Sequence, residues 1–280
     1  MSSLLEQNPN PKKQGVKMMT PNRKFKGRKM VGILILAVAV VYTSNYGIGA
    51  YKEQKAVKKE ASNAKALLQK QQEEETARVE RVANSKVAYL TFDDGPNYNT
   101  EKILNVLKSN DIKATFFLVG SMVENNPNIV KKIKGDGHTI ANHTYSHNYS
   151  YGTKDKFLEE ITKTDDLIAK ALGEDFKSYF VRVPGGSMGK KVPQEAIKEN
   201  GYKSINWTAV FGDDEKGGKV NSQYVIDRVK ETTGDDKYEV ILAHGTKSVT
   251  ADTLQDIINN LKSDGYIFEP LMTDSPVEFN

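Results

Sequence analysis

Two short runs hold the residues of this chain best suited to chemistry: adjacent carboxylates in Thr91-Phe92-Asp93-Asp94-Gly95-Pro96, and a histidine pair in His143-Thr144-Tyr145-Ser146-His147. A divalent metal of the zinc class takes imidazole nitrogens and carboxylate oxygens, and a catalytic site keeps a further position open for water or substrate. Ligands spaced i, i+4 can point the same way from one helical turn or a tight loop. Only one of the two aspartates is needed on such a metal, which leaves the other free as a base. That division of labour is metal-assisted hydrolysis.

Each run alone is weak. Asp-Asp-Gly-Pro is an ordinary turn sequence, and a histidine pair at this spacing also occurs on helix surfaces and in cores. Together they weigh more, because the chain holds only four histidines, at 138, 143, 147 and 244. Two of these make the pair, and His244 directly follows the apolar run Val240-Ile241-Leu242-Ala243. The chain has no cysteine, which excludes thiolate ligands, disulfides and a cysteine nucleophile. Any metal must sit on His, Asp or Glu.

From about residue 86 onward, strand-like apolar runs alternate with amphipathic helix patterns. Val87–Phe92 and Ala114–Val119 read as strands, the second ended by Gly120, with a helix between them capped by Asn99 or Thr100 and carrying Ile103, Leu104 and Leu107. Pro127 suits the first residue of a short helix that Gly135 ends. Phe157, Ile161, Ile168 and Leu172 line one face of a longer helix. Tyr179–Val183, Ser204–Val210, Glu239–Ala243 and Tyr266–Phe268 read as further strands, with helices bracketed by Pro193 and Gly201, near 222–232, and at 252–263. The alternation predicts a parallel α/β arrangement, open or closed into a barrel, with chemistry where strands end. Asp93, Asp94, Arg182 and His244 all fall at or near such ends.

Before this domain the charge is uneven. The first 29 residues carry eight Lys and Arg against the single acid Glu6, and an apolar stretch follows at once, strictly aliphatic to Val41 and uncharged through Tyr51. Residues 30–50 just suffice to cross a bilayer core of about 30 Å. The expected order is a cytoplasmic basic segment (1–29), a transmembrane signal anchor (30–50), a helical stalk or linker (51–85) and a catalytic domain (86–280). The basic flank stays inside and the domain faces out. A cleaved signal peptide, and so a secreted protein, is the alternative; Ile48-Gly49-Ala50 is a poor cleavage site. The basic cluster is explained by membrane topology, and nucleic-acid binding has no support.

The assembled motifs resemble the polysaccharide deacetylase family, carbohydrate esterases with a NodB-type catalytic domain, over roughly residues 86–270. The resemblance implies a distorted (β/α) barrel, a divalent metal (usually zinc) and removal of acetyl groups from N-acetylated sugars. It implies Asp93 as general base, with Asp94, His143 and His147 as metal ligands. Arg182, in Arg182-Val183-Pro184-Gly185-Gly186, would hold Asp93 ionised and oriented. Gly185, where many relatives carry Tyr, would offer its N–H to an oxyanion. Asp213 would orient His244, the general acid, and Leu242 would face the acetyl methyl. Asp214 stands where relatives carry Trp, and Val210 where Asp is common.

An outward-facing deacetylase on an anchor and stalk resembles the arrangement in Gram-positive bacteria whose enzymes deacetylate peptidoglycan N-acetylglucosamine. A cell-wall glycan polymer is therefore the expected partner. Poly-N-acetylglucosamine, chitin oligomers, acetylated xylan and a catalytically silent glycan-binding homologue are the alternatives. His138 and Trp207 are expected to be structural.

Overall fold

The computed structural model describes residues 49–277. The expected anchor lies outside the described residues apart from its last two positions. Among the described residues no helix is long and apolar enough to cross a membrane. The chain divides into two units, one ending at Asn84 and one running from Ser85.

In the first unit, α1 (Gly49–Asn84) is a single 36-residue helix. Its composition favours that state, because after Gly49 it is dominated by Lys, Glu, Gln and Ala. Pairs at helical spacing add to it: Lys70 to Glu74 at 3.7 Å, and Arg78 to both oxygens of Glu75 at 3.0 and 2.8 Å.

The second unit is a parallel sheet with helical crossovers. Its strands are β1 (Lys86–Asp93), β2 (Thr115–Leu118), β3 (Thr139–Asn142), β4 (Phe180–Val181), β5 (Lys203–Ser204), β6 (Ala209–Val210), β7 (Tyr238–His244) and β8 (Tyr266–Phe268), in the order β5-β4-β3-β2-β1-β7-β6. β1 is buried along its length after Lys86, as a central strand covered on both faces must be. It pairs with β7 from Val87↔Tyr238 to Asp93↔His244. Its other edge is shared, β8 taking Lys86–Ala88 and β2 taking Thr91 and Phe92.

The sheet curls. Arg182, just past β4, donates to Thr91 and Asp93 on β1, three strands away. In a flat sheet that separation would be about 14 Å, beyond one arginine side chain. Among the described residues no ladder joins β5 to β6, so the curled sheet is an incomplete barrel.

The crossovers are α2 (Tyr98–Ser109), α3 (Gly120–Asn125), α4 (Pro127–Gly135), α5 (Lys154–Leu172), α6 (Lys191–Glu199), α7 (Glu215–Gly218), α8 (Ser222–Thr232) and α9 (Ser248–Ser263). Ile103, Leu104 and Leu107 of α2 and Leu254, Ile257, Ile258 and Leu261 of α9 are buried in the main core. α5 is capped by Thr153 and ended by Gly173 at φ 74°, and its Phe157 and Ile161 join a second core cluster with Val181 and Val183.

Three expectations need correcting. The cap of α2 is Asn97, whose side chain accepts from the N–H groups of Asn99 and Thr100 while Thr100 Oγ1 accepts from its own N–H. α6 begins before Pro193, which sits in its first turn. The expected strand Ser204–Val210 is two short strands, because the intervening carbonyls of Ile205 and Asn206 accept from the Arg182 guanidinium, at 3.1 and 3.5 Å, instead of a neighbouring strand. β3, flanked by Thr139 and Asn142, has too short an apolar centre to show in the pattern.

Candidate active site

The registers of the sheet gather the candidate residues at one end. Asp93 is paired with His244 across β1 and β7. Asn142 is paired with Val181 across β3 and β4, so the residues that follow, His143 and Arg182, leave the sheet side by side. Val210 is paired with Leu242, which brings the loop carrying Asp213 beside His244.

Asp94, His143 and His147 each present one donor atom within 4.8 Å of the others. Nε2 of His147 and of His143 lie 3.1 and 3.5 Å from Asp94 Oδ1, an oxygen that is buried without a hydrogen-bond partner. His143 Nδ1 stands 2.7 Å from the carbonyl oxygen of Arg182. A carbonyl only accepts, so Nδ1 carries the proton and Nε2 keeps its lone pair for a metal. Burial lowers the His143 pKa against the pull of Asp93 and Asp94, which favours the neutral ligand form. Burial alone would raise the Asp94 pKa, but contact with His147 and the charges of His143 and His244 outweigh it and hold it at about 2. One anionic oxygen and two imidazole lone pairs, with the oxygen otherwise unsatisfied, fit a divalent cation.

The backbone around these groups is constrained. Asp94, Thr144 and His147 have φ of 71°, 67° and 55°, a region that costs a non-glycine residue about 1–2 kcal/mol. Hydrogen bonds hold the histidine loop there. Asn142 Oδ1 accepts from Thr144 N–H, and the Asn142 amide donates to Ile161 O and Asp165. Glu160 accepts from the N–H groups of Tyr145 and Ser146.

Asp93 is 3% exposed and Arg182 fully buried, joined at 2.8 Å between Arg182 Nη1 and Asp93 Oδ1. Arg182 also donates to Thr91 Oγ1, and its guanidinium lies 4.1 Å from the centre of the Phe117 ring and 5.8 Å from that of Trp207. Burial lowers the guanidinium pKa and Asp93 opposes that shift. Asp93 Oδ2 remains 3.7 Å from His143 Nε2, on the side of the ligand cluster.

Asp213 Oδ1 meets His244 Nδ1 at 2.6 Å while Oδ2 accepts the His244 N–H at 2.7 Å. The Thr250 hydroxyl completes the carboxylate's partners. Burial acts against a charged His244, but the Asp213 hydrogen bond and charge, with Asp94 and Asp93, push its pKa up to about 9. Nδ1 is tied to Asp213, so Nε2 is the atom available for proton transfer. Asp213, Asp214 and His244 also form an acidic cluster, but Asp213 and His244 spend their donor atoms on each other and Asp214 is exposed.

Gly185 sits in an exposed turn at φ 68°. Leu242, two residues before His244 on β7, shares its face of the strand and is half-buried. Val210 gives its N–H to Thr232 Oγ1. Every residue expected at the site is therefore in this end of the barrel. His138 is not: its Nδ1 accepts the Ala114 N–H in the core, as a structural residue would. Thr91, Asn142, Glu160 and Thr250 support the site without having been expected. Trp207, expected inside a strand, lies in the loop beside Arg182 and Gly186.

A curled parallel α/β sheet with a His-His-Asp cluster, an arginine-held carboxylate and an aspartate-held histidine at its C-terminal end is a hydrolase architecture. The family model for polysaccharide deacetylase matches residues 80–205. A peptidoglycan-N-acetylglucosamine deacetylase of Bacillus cereus is 31% identical over 268 residues, covering 90% of this chain and 95% of its own. The catalytic domain of peptidoglycan N-acetylglucosamine deacetylase from Eubacterium rectale superposes with a TM-score of 0.64 at 27% identity, over 70% of this chain and 93% of that one. A carbohydrate esterase family 4 pseudoenzyme from Bacillus anthracis is also similar, with a TM-score of 0.59 at 27% identity over 67% of this chain and 64% of that one. The chain belongs to the polysaccharide deacetylase family, the carbohydrate esterases with a NodB-type domain.

Proposed function

We propose that this chain is a metal-dependent hydrolase that removes the N-acetyl group from N-acetylglucosamine residues of cell-wall peptidoglycan and releases acetate. The observation that carries the reading is the convergence of Asp94, His143 and His147 beside Asp93, which is itself paired with His244 across β1 and β7. The substrate class rests on the peptidoglycan deacetylases this chain resembles over most of its length.

Asp94, His143 and His147 would hold the metal, and zinc suits two imidazoles and a carboxylate. A divalent ion there supplies Lewis acidity, polarising an acetyl carbonyl and lowering the pKa of water. Asp93, held by Arg182, takes the proton of the attacking water. The Gly185 N–H donates to the carbonyl oxygen as it gains charge. Leu242 lines the space for the acetyl methyl. His244, charged through Asp213, protonates the departing amine, which leaves poorly without a proton. The products are acetate and a glucosamine unit.

The basic segment, the apolar stretch at 30–50 and the long helix α1 support a domain held outside the cell membrane. The direct test is acetate release from isolated peptidoglycan by the full-length chain, with zinc and with a chelator. Chelator-sensitive acetate is expected, lost on Asp93→Asn while glycan binding survives. Glycan binding with no acetate from the wild-type chain would make it a silent homologue. Acetate from chitin oligomers or acetylated xylan but not peptidoglycan would assign another polymer.

A further inference from the structure

Among the described residues of the domain, Tyr149 is one of a few large hydrophobic side chains left open to solvent, 64% exposed. A single exposed ring needs no explanation by itself, so what matters is what this one touches. It lies edge-to-face with the ligand histidine His147, ring centres 5.2 Å apart and planes at 86°. On its other flank is Gly185, whose N–H faces the reaction in the reading above. A Cβ built on Gly185 would stand 3.0 Å from both Cδ1 and Cε1 of Tyr149. A side chain at 185 would press on the ring and push it aside by a few tenths of an ångström. Lys190 completes the group: its Nζ is 5.6 Å from the ring centre and donates to Pro184 O.

We infer that Tyr149 is a substrate-contacting residue, an aromatic wall against which the pyranose ring bearing the acetamide packs beside the metal ligands. The inference rests on the deacetylase reading. A pyranose presents axial C–H groups over one face and hydroxyls at its rim. An exposed ring between a metal ligand and the oxyanion donor meets that face while the acetamide points inward. Tyr149 then sets affinity for the sugar polymer and leaves the bond-breaking groups untouched.

The test compares the zinc-loaded wild-type chain with Tyr149→Ala and Tyr149→Phe. The probes are a soluble β-1,4-linked N-acetylglucosamine tetramer and the small ester 4-nitrophenyl acetate. For Tyr149→Ala, KM for the tetramer should rise about tenfold, the value of one aromatic contact, with kcat changed less than about threefold. Tyr149→Phe should stay near wild type, and ester hydrolysis should be unchanged in both. An unchanged tetramer KM in Tyr149→Ala overturns the proposal, as does an equal loss on ester and tetramer, which would mean Tyr149 acts through His147. Tetramer binding is measured calorimetrically in parallel. If the wild type releases no acetate, the deacetylase reading fails on its own. Loss of tetramer binding in Tyr149→Ala would still support the wall, and no wild-type binding would overturn it.

Discussion

Glu160 grips Ser146 at three points: the Ser146 N–H donates to Oε2 at 2.7 Å, and its hydroxyl lies 2.9 and 2.8 Å from Oε1 and Oε2. Because Oε2 also takes the Tyr145 N–H, one carboxylate on α5 clamps the loop between His143 and His147. The left-handed backbone at Thr144 and His147 has to be held by such contacts, since it is unfavourable by itself.

Glu160→Ala should weaken metal binding about 10- to 100-fold, the usual cost of losing a group that orients ligands. Glu160→Gln, which keeps one acceptor, should fall between. Zinc affinity by competition with a chromophoric chelator checks this, with the melting temperature of the metal-free protein measured alongside. Wild-type affinity in Glu160→Ala would sink the idea.

In the proposed reaction His244 can act as an acid only while protonated, and its pKa is raised to about 9 chiefly by Asp213. Activity should therefore persist through neutral pH and be lost as pH rises through the His244 value. In Asp213→Asn the alkaline limb should move down toward the ordinary histidine value of 6.5. At neutral pH kcat should drop about tenfold or more, within the range for general acid catalysis. A pH–rate profile decides it, and an unmoved alkaline limb would count against His244 as the acid.

His138 has its pKa lowered to about 4 from 6.5, by burial first and then by Lys113. Its Nδ1 accepts the Ala114 N–H, so protonation there would cost that bond as well. The unfolded chain binds the proton between these two values and the folded chain does not, so stability rises with pH across that window. Acidification from 6.5 toward 4 should therefore remove up to about 3 kcal/mol. His138→Asn keeps an acceptor near Nδ1 but cannot titrate. Denaturant midpoints at several pH values should show a shallower acid slope for the variant; parallel slopes would refute the account.

Arg182→Met removes a buried cation and leaves Asp93 without its partner. Breaking such a pair costs about 3–5 kcal/mol. Asp93→Asn keeps an oxygen facing the guanidinium and should cost less. Urea unfolding of both variants checks the order, and a loss below about 1 kcal/mol for Arg182→Met would contradict the burial seen here.

The legible parts share a local signal. β1 and β7 show as uninterrupted apolar runs, α8 as an amphipathic helix between polar ends, and the paired motifs as rare residues at ligand spacing. What stayed hidden depends on contacts between distant residues. Glu160 lies 13 positions beyond His147, on a helix whose pattern marks only the apolar face. The break at Ile205–Thr208 comes from a guanidinium more than 20 residues earlier, so propensity alone extends one strand across it. Asp213 was assigned by resemblance; its grip on His244 follows from the β6–β7 register, which composition does not encode.

The register between β1 and β7 has a consequence for function. The proposed base and acid stand on neighbouring parallel strands, Asp93 directly across from His244. The smallest slip that keeps each strand's faces, two residues, would separate them by about 6.6 Å along the ladder. Such a chain would bury nearly the same apolar surface and still be unable to pass a proton across its cleft. Turnover per molecule is thus a sharper gauge of correct strand alignment than compactness or secondary-structure content. A preparation's specific activity counts the molecules whose central strands have docked in step.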